Sequence, residues 1–389
     1  LKLVLVVLLA ALTSTSVFGS RVVVSLSALH LGASPAVVGM IMSLYFIPPV
    51  VFSMSMGRLV DRAGVALPMA LVAVLLITGH ALPAAWPSLW TLAASAACTG
   101  TAFVGAMIAL SSATAFAGGE EDRTTNFSWF TLGTGFGVGL GPFISGFTMD
   151  AAGDRVASIA LGLWPACILA LLAFWSRRLP VVTSARPANP ASANAAAGKV
   201  RLPWLGLLRD RRLRAALAIG VMAPAGYEVF LFVIPVLGAR NGISSSTIGS
   251  ILAAGAVAIF AIRLALPLLV KWMREWMIMR VVFAVMAVSY LLMSHFTQPA
   301  ILFSISVAMG IAQGLSQPVI MSMYFTASPA GRQGEAAGIR GILQNALSAL
   351  SPVMMGGLGT LLGLGPVLIA AAVIFAGASE FARRMSSRW

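Results

Sequence analysis

"MGRLVDRAG", residues 56–64, sets two arginines, an aspartate and two glycines between two long apolar stretches. Before it runs "VGMIMSLYFIPPVVFSMS" (38–55) and after it "VALPMALVAVLLITGHAL" (65–82), each long enough as a helix to cross a bilayer. The charges therefore mark a turn between two membrane helices, and the rest of the 389-residue chain repeats that pattern. Only 9% of residues are charged and 59% are hydrophobic, against about 25% charged in a soluble domain. A soluble globule is excluded, and a polytopic helical membrane protein is expected.

Breaks at charged or Pro/Gly-rich turns predict helices over 3–29, 35–57, 66–85, 88–116, 125–149 and 156–176. A second set follows over 214–238, 246–270, 276–295, 299–326, 335–362 and 365–382. The domain plan is a bundle over 1–178, a linker over 179–213 and a second bundle over 214–389. The linker is rich in Pro, Ala, Ser and Arg, and ends in a basic amphipathic segment around Trp204 to Arg214. The net charge of +14 does not point to nucleic acid, because the basic residues alternate between loops instead of lining one face. With the amino terminus inside, nearly all Lys and Arg fall on inner loops, while the outer loops hold only Arg155 and Arg240. Both termini and the linker are thus expected in the cytoplasm, with the chain in the cytoplasmic membrane. No cleavable signal peptide is expected.

The two sets repeat at an offset of 210 residues. Gly32 matches Gly242, Ser34 matches Ser244, Gly39 matches Gly249, Gly100 matches Gly310, Pro142 matches Pro352, and Gly146 matches Gly356. A parallel duplication of this kind is a plan for secondary transporters with a site between the halves. The fold class expected is all-α integral membrane, with twelve transmembrane helices in two pseudo-symmetric six-helix bundles.

Residues 57–64, Gly-Arg-Leu-Val-Asp-Arg-Ala-Gly, resemble the loop signature Gly-x-Leu-x-Asp-Arg-x-Gly of the major facilitator superfamily, here without its trailing basic pair. The resemblance implies that Gly57 permits close helix approach, Gly64 a tight turn, and Asp61 and Arg62 a cytoplasmic latch between the halves. Lys271 stands in the second half where Asp61 stands in the first, which implies a one-sided latch. A plain positive-inside loop is the alternative. In helix 5, "GVGLGPFISG" (137–146) is similar to a Gly-x-x-x-Gly-Pro-x-x-Gly-Gly signature of superfamily antiporters, with Ser145 in place of one Gly. Gly137, Gly141 and Gly146 then pack helices closely, and Pro142 bends a gate. The Arg that many proton-coupled exporters carry in helix 4 is replaced by Ala96.

Three ionisable residues fall deep inside spans: Arg21, Glu228 and Arg263. Such charges are functional candidates by default. The repeat overlays Glu228 on Phe18, one turn from Arg21, so Arg21 and Glu228 are expected to face each other as a switchable pair; a fixed structural ion pair is the alternative. Arg263 either reaches the solute or snorkels to the surface. Gln313, Gln317 and Tyr324 share one face of helix 10, Ser14, Arg21 and Ser25 share one of helix 1, and Tyr45, Tyr227, Gln344 and Asn345 complete the candidate cavity. For each polar residue, interhelical hydrogen bonding is the competing reading. His80 and His295 are read as packing or rim residues, and Cys98 and Cys167 as packing residues.

These readings predict export of a small amphipathic organic solute by alternating access, coupled to protons through Glu228. Uptake or exchange of an organic anion is the second reading. The partners expected are the solute, a proton and the lipid bilayer, with no nucleic acid, cofactor or metal, and the chain working as a monomer. An intramembrane enzyme is disfavoured because no His, Cys or carboxylate cluster is present.

Overall fold

A computed structural model describes residues 2–117, 122–176, 210–269, 274–328 and 333–386. The amphipathic end of the linker up to residue 209, and Lys271, lie outside the described residues. The chain forms α1 Lys2–His30, α2 Pro35–Ser43, α3 Ile47–Ala63, α4 Ala66–Ala85, α5 Leu89–Ala115 and α6 Arg123–Trp175. After the linker come α7 Arg211–Arg240, α8 Ser245–Leu269, α9 Glu275–His295, α10 Pro299–Ala327, α11 Gln333–Leu361 and α12 Leu364–Ser386. Among the described residues there is no strand, and ten helical stretches are long and apolar enough to cross a membrane. One of them, Thr125–Trp175, has 51 residues, or about 75 Å of helix against a hydrocarbon core of about 30 Å. It crosses twice, turning at Gly153, whose φ of 81° interrupts the helix.

Two expected boundaries are corrected. The second span does not run unbroken over 35–57: it divides at Leu44–Phe46, where Pro48 and Pro49 begin a new helix because neither supplies a backbone donor. That helix continues to Ala63, so Gly57 to Arg62 lie in its last turns and not in a loop. Gly64, with φ 71°, closes it.

The repeat is expressed in backbone geometry. Gly32 (φ 80°) and Gly242 (φ 69°) make equivalent turns, as do Gly153 (φ 81°) and Gly363 (φ 84°), all in a region that favours glycine. Close approaches obey the same offset. A Cβ on Gly39 would strike the carbonyl of Pro352, and one on Gly249 that of Pro142. One on Gly146 would strike Ser245, and one on Gly356 would strike Pro35. These contacts join α2 to α11 and α6 to α8, crossing between the first six spans and the last six at the end marked by His30 and Arg240. We call this the His30 end and the opposite one the Arg62 end. Asp150 accepts from the amides of Ser245 (2.9 Å) and Ser246 (2.8 Å) at the start of α8. The equivalent residue Thr360 accepts from Ala36 N at the start of α2, at 3.1 Å.

Candidate functional site

At mid-span, Arg21 Nη1 of α1 donates to Glu228 Oε2 of α7 at 2.9 Å. The guanidinium carbon lies 5.0 Å from the Phe18 ring centre, 5.1 Å from Phe46 and 5.5 Å from Tyr45. Tyr45 is fixed by a 2.7 Å hydrogen bond between its hydroxyl and Ser20 Oγ. Bringing both charges out of water costs several kcal/mol, which the ion pair and the π faces, at about 0.5–2 kcal/mol each, offset. Arg21 Nε remains buried without an acceptor. The Glu228 side chain keeps 23% exposure against 11% for Arg21, so the carboxylate is the reachable partner.

Tyr227 stacks on Phe230 with ring centres 5.7 Å apart. With Phe18, Arg21, Pro142, Leu231 and Pro235 it encloses a space of only about 20 Å³ on the His30 side of the pair, room for about one water. Arg263 of α8 is half-buried and close enough to Tyr227 for electrostatic contact. Arg21, Glu228, Tyr45, Tyr227 and Arg263 thus form one neighbourhood.

The other polar candidates do not join it as a single wall. Gln313 accepts from Ser316 Oγ of its own helix at 3.4 Å, and Gln317 is half-buried beside it on the chain. Tyr324 turns its hydroxyl against Gly220 of α7, where it is buried and unpartnered. Gln344 accepts from Arg340 Nη1 at 2.9 Å, and the Arg340 guanidinium lies 5.6 Å from the Tyr324 ring centre; Asn345 is exposed. Arg340 was legible only as one more inner-loop charge, yet it sits inside α11, half-buried. On α1, Ser14 abuts Gly137 and Ser25 bonds to Val22 O, so both pack. His80 is buried and shares a 2.7 Å hydrogen bond with Ser16 Oγ, whereas His295 is exposed beside Ser294. Cys98 is partly buried and Cys167 is exposed.

The gating candidates divide by position. Gly137 and Gly141 lie against the α1 backbone at Ala11, Thr15 and Gly19, inside the first six spans, while Pro142 and Gly146 meet α8. Ser145 is buried against Gly19. At the Arg62 end, Asp61 and Arg62 are exposed, and Asp61 has no hydrogen-bond or ion-pair partner among the described residues. A Cβ on Gly57 would meet nothing within 4 Å, so the close approach expected there is not made in this conformation. No cluster of His, Cys, Asp or Glu able to hold a metal occurs among the described residues.

The family model described as Major Facilitator Superfamily matches residues 4–352, and the chain belongs to that superfamily. Solved structures of similar fold include the peptide transporter POT in complex with sulfate, 14% identical, TM-score 0.81, covering 100% of this chain and 94% of that one. A POT family transporter in complex with 5-aminolevulinic acid is 13% identical with TM-score 0.79, covering 99% and 96%. The nucleoside transporter NupG is 14% identical with TM-score 0.76, covering 99% of each. At these identities the likeness is one of fold. No curated protein matches the chain.

Proposed function

We propose that this protein exports a small amphipathic organic solute by alternating access, driven by protons that exchange with the solute at Arg21 and Glu228. The observation that carries the reading is an ion pair, half-buried at mid-span between α1 and α7 and set among the rings of Phe18, Tyr45 and Phe46. Apolar walls favour the ring or chain of a solute, and the charge pair favours its polar end. A proton on Glu228 releases Arg21; a cationic group of the solute competes for the same carboxylate. The bodies that move are residues 1–178 and 214–389, joined by the linker 179–213, and the protein acts as a monomer. The charge bias of the loops places the Arg62 end and both termini in the cytoplasm and the chain in the inner membrane.

In proteoliposomes with an imposed pH gradient, the wild type accumulates an amphipathic cation against its concentration gradient, whereas Glu228→Gln performs only exchange down the gradient. Equal accumulation by both would remove Glu228 from coupling. The second reading, uptake or exchange of an organic anion, is favoured by the unused Arg21 Nε and by Arg263 and Arg340. Accumulation of an organic anion in the same vesicles, with no response to the cation, would select it.

A further inference from the structure

Small residues hold α6 onto α1, but their counterparts in the second half are large. Gly133 and Gly137 meet the α1 backbone at Val7 and Ala11; 210 residues later stand Leu343 and Leu347. Leu343 and Leu347 line a groove of about 590 Å³ between α11 and α7. Its walls include Leu217, Val221, Met222, Leu343, Ala346 and Leu350. A second hollow of about 290 Å³ continues it toward Phe381 and Met385 of α12. Leu343, Leu350 and Phe381 are each more than 40% exposed, so the groove is open along one side.

Arg214 lines both hollows. It lies in the first turn of α7, where the first half has Val4, and so at the level of lipid head groups at the Arg62 end. It is exposed and has no acidic partner among the described residues, whereas Arg383 and Arg384 on α12 bond to Glu380 at 2.6 and 2.8 Å. From Arg214 to Met222 the groove descends about 12 Å along α7, well into one leaflet.

We propose that this groove holds one anionic phospholipid, its phosphate at Arg214 and an acyl chain along α7 and α11. The apolar walls suit a hydrocarbon chain, and Arg214, with no acidic partner among the described residues, favours a head group with net negative charge over a zwitterionic one. The pseudo-symmetric position on the first half is filled by close helix packing, so the site is single.

Native mass spectrometry of the purified full chain, titrated separately with phosphatidylglycerol, phosphatidylcholine and glycerol phosphate, tests this. The expected result is one phosphatidylglycerol held about tenfold more strongly than phosphatidylcholine, and no retention of glycerol phosphate. Arg214→Gln reduces the preference to under about twofold, and Ala346→Phe, which fills the groove from an exposed position, abolishes retention of both lipids. Lipid retention unchanged in both variants would overturn the proposal. So would binding of glycerol phosphate as strong as that of the lipid. If Ala346→Phe fails to fold, the preference measured with the surface variant Arg214→Gln decides alone.

Discussion

The His30 end and the Arg62 end of this transporter use the same residue type to opposite effect. At the His30 end, Gly39, Gly146, Gly249 and Gly356 bring backbone of one half against backbone of the other, with no room for a side chain. At the Arg62 end, Gly57, Gly338 and Gly341 face nothing within 4 Å. Among the described residues the halves are therefore pinned at one end, these glycines make no such contact at the other, and the Arg21–Glu228 pair lies between. A glycine motif marks where helices are able to meet; the conformation decides whether they do.

Bulk at the pinned end has the largest expected effect on this contrast. Gly146→Leu forces a side chain into the Ser245 backbone, and a clash of about 3 kcal/mol shifts the population about 100-fold away from closure at the His30 end. Spin-label distances between α6 and α8 should lengthen. Unchanged distances would mean that the crossing yields elsewhere.

Next in size come the two caps. Asp150 and Thr360 occupy equivalent positions, but a carboxylate at a helix start gains from the helix dipole where a hydroxyl gains little. Asp150→Asn should cost about 1 kcal/mol, near a fivefold increase in labelling, from the His30 side, of a cysteine placed at Leu231 in the mid-span space. Thr360→Ala should cost about 0.5 kcal/mol. Equal effects would mean that the charge adds nothing to closure at the α6–α8 crossing.

Much of this plan was legible in the sequence. Apolar periodicity and the loop charges marked the spans, and the 210-residue offset anticipated the matched turns at Gly32 and Gly242. Arg21 and Glu228 stood out because a charge deep in a span has few explanations, and their shared depth predicted that they meet. Other features required three dimensions. Phe46 looked like an ordinary membrane residue until the α2–α3 break brought it to Arg21. Arg340 was hidden because charge counting treats any Arg near a span end as a loop residue. For the polar stripe of α10, sharing a helix face does not say whether a neighbour, such as Gly220 beneath Tyr324, covers that face.

The smallest expected effect belongs to the motif that revealed the family. Asp61 is exposed and has no partner among the described residues, so Asp61→Asn should leave thermal stability here within about 0.5 kcal/mol. Its cost should appear only when the Arg62 end closes, as slower transport. A large loss of stability would show that Asp61 already holds the two halves.

The central claim, that Glu228 exchanges a proton with the solute, is tested most directly by following proton release from purified protein as amphipathic cations and organic anions are added. At a pH where Glu228 carries the proton that frees Arg21, the account predicts release on adding a cation that binds, and no release from Glu228→Gln. Solute binding with the same proton signal in wild type and Glu228→Gln, or with none in either, would contradict it.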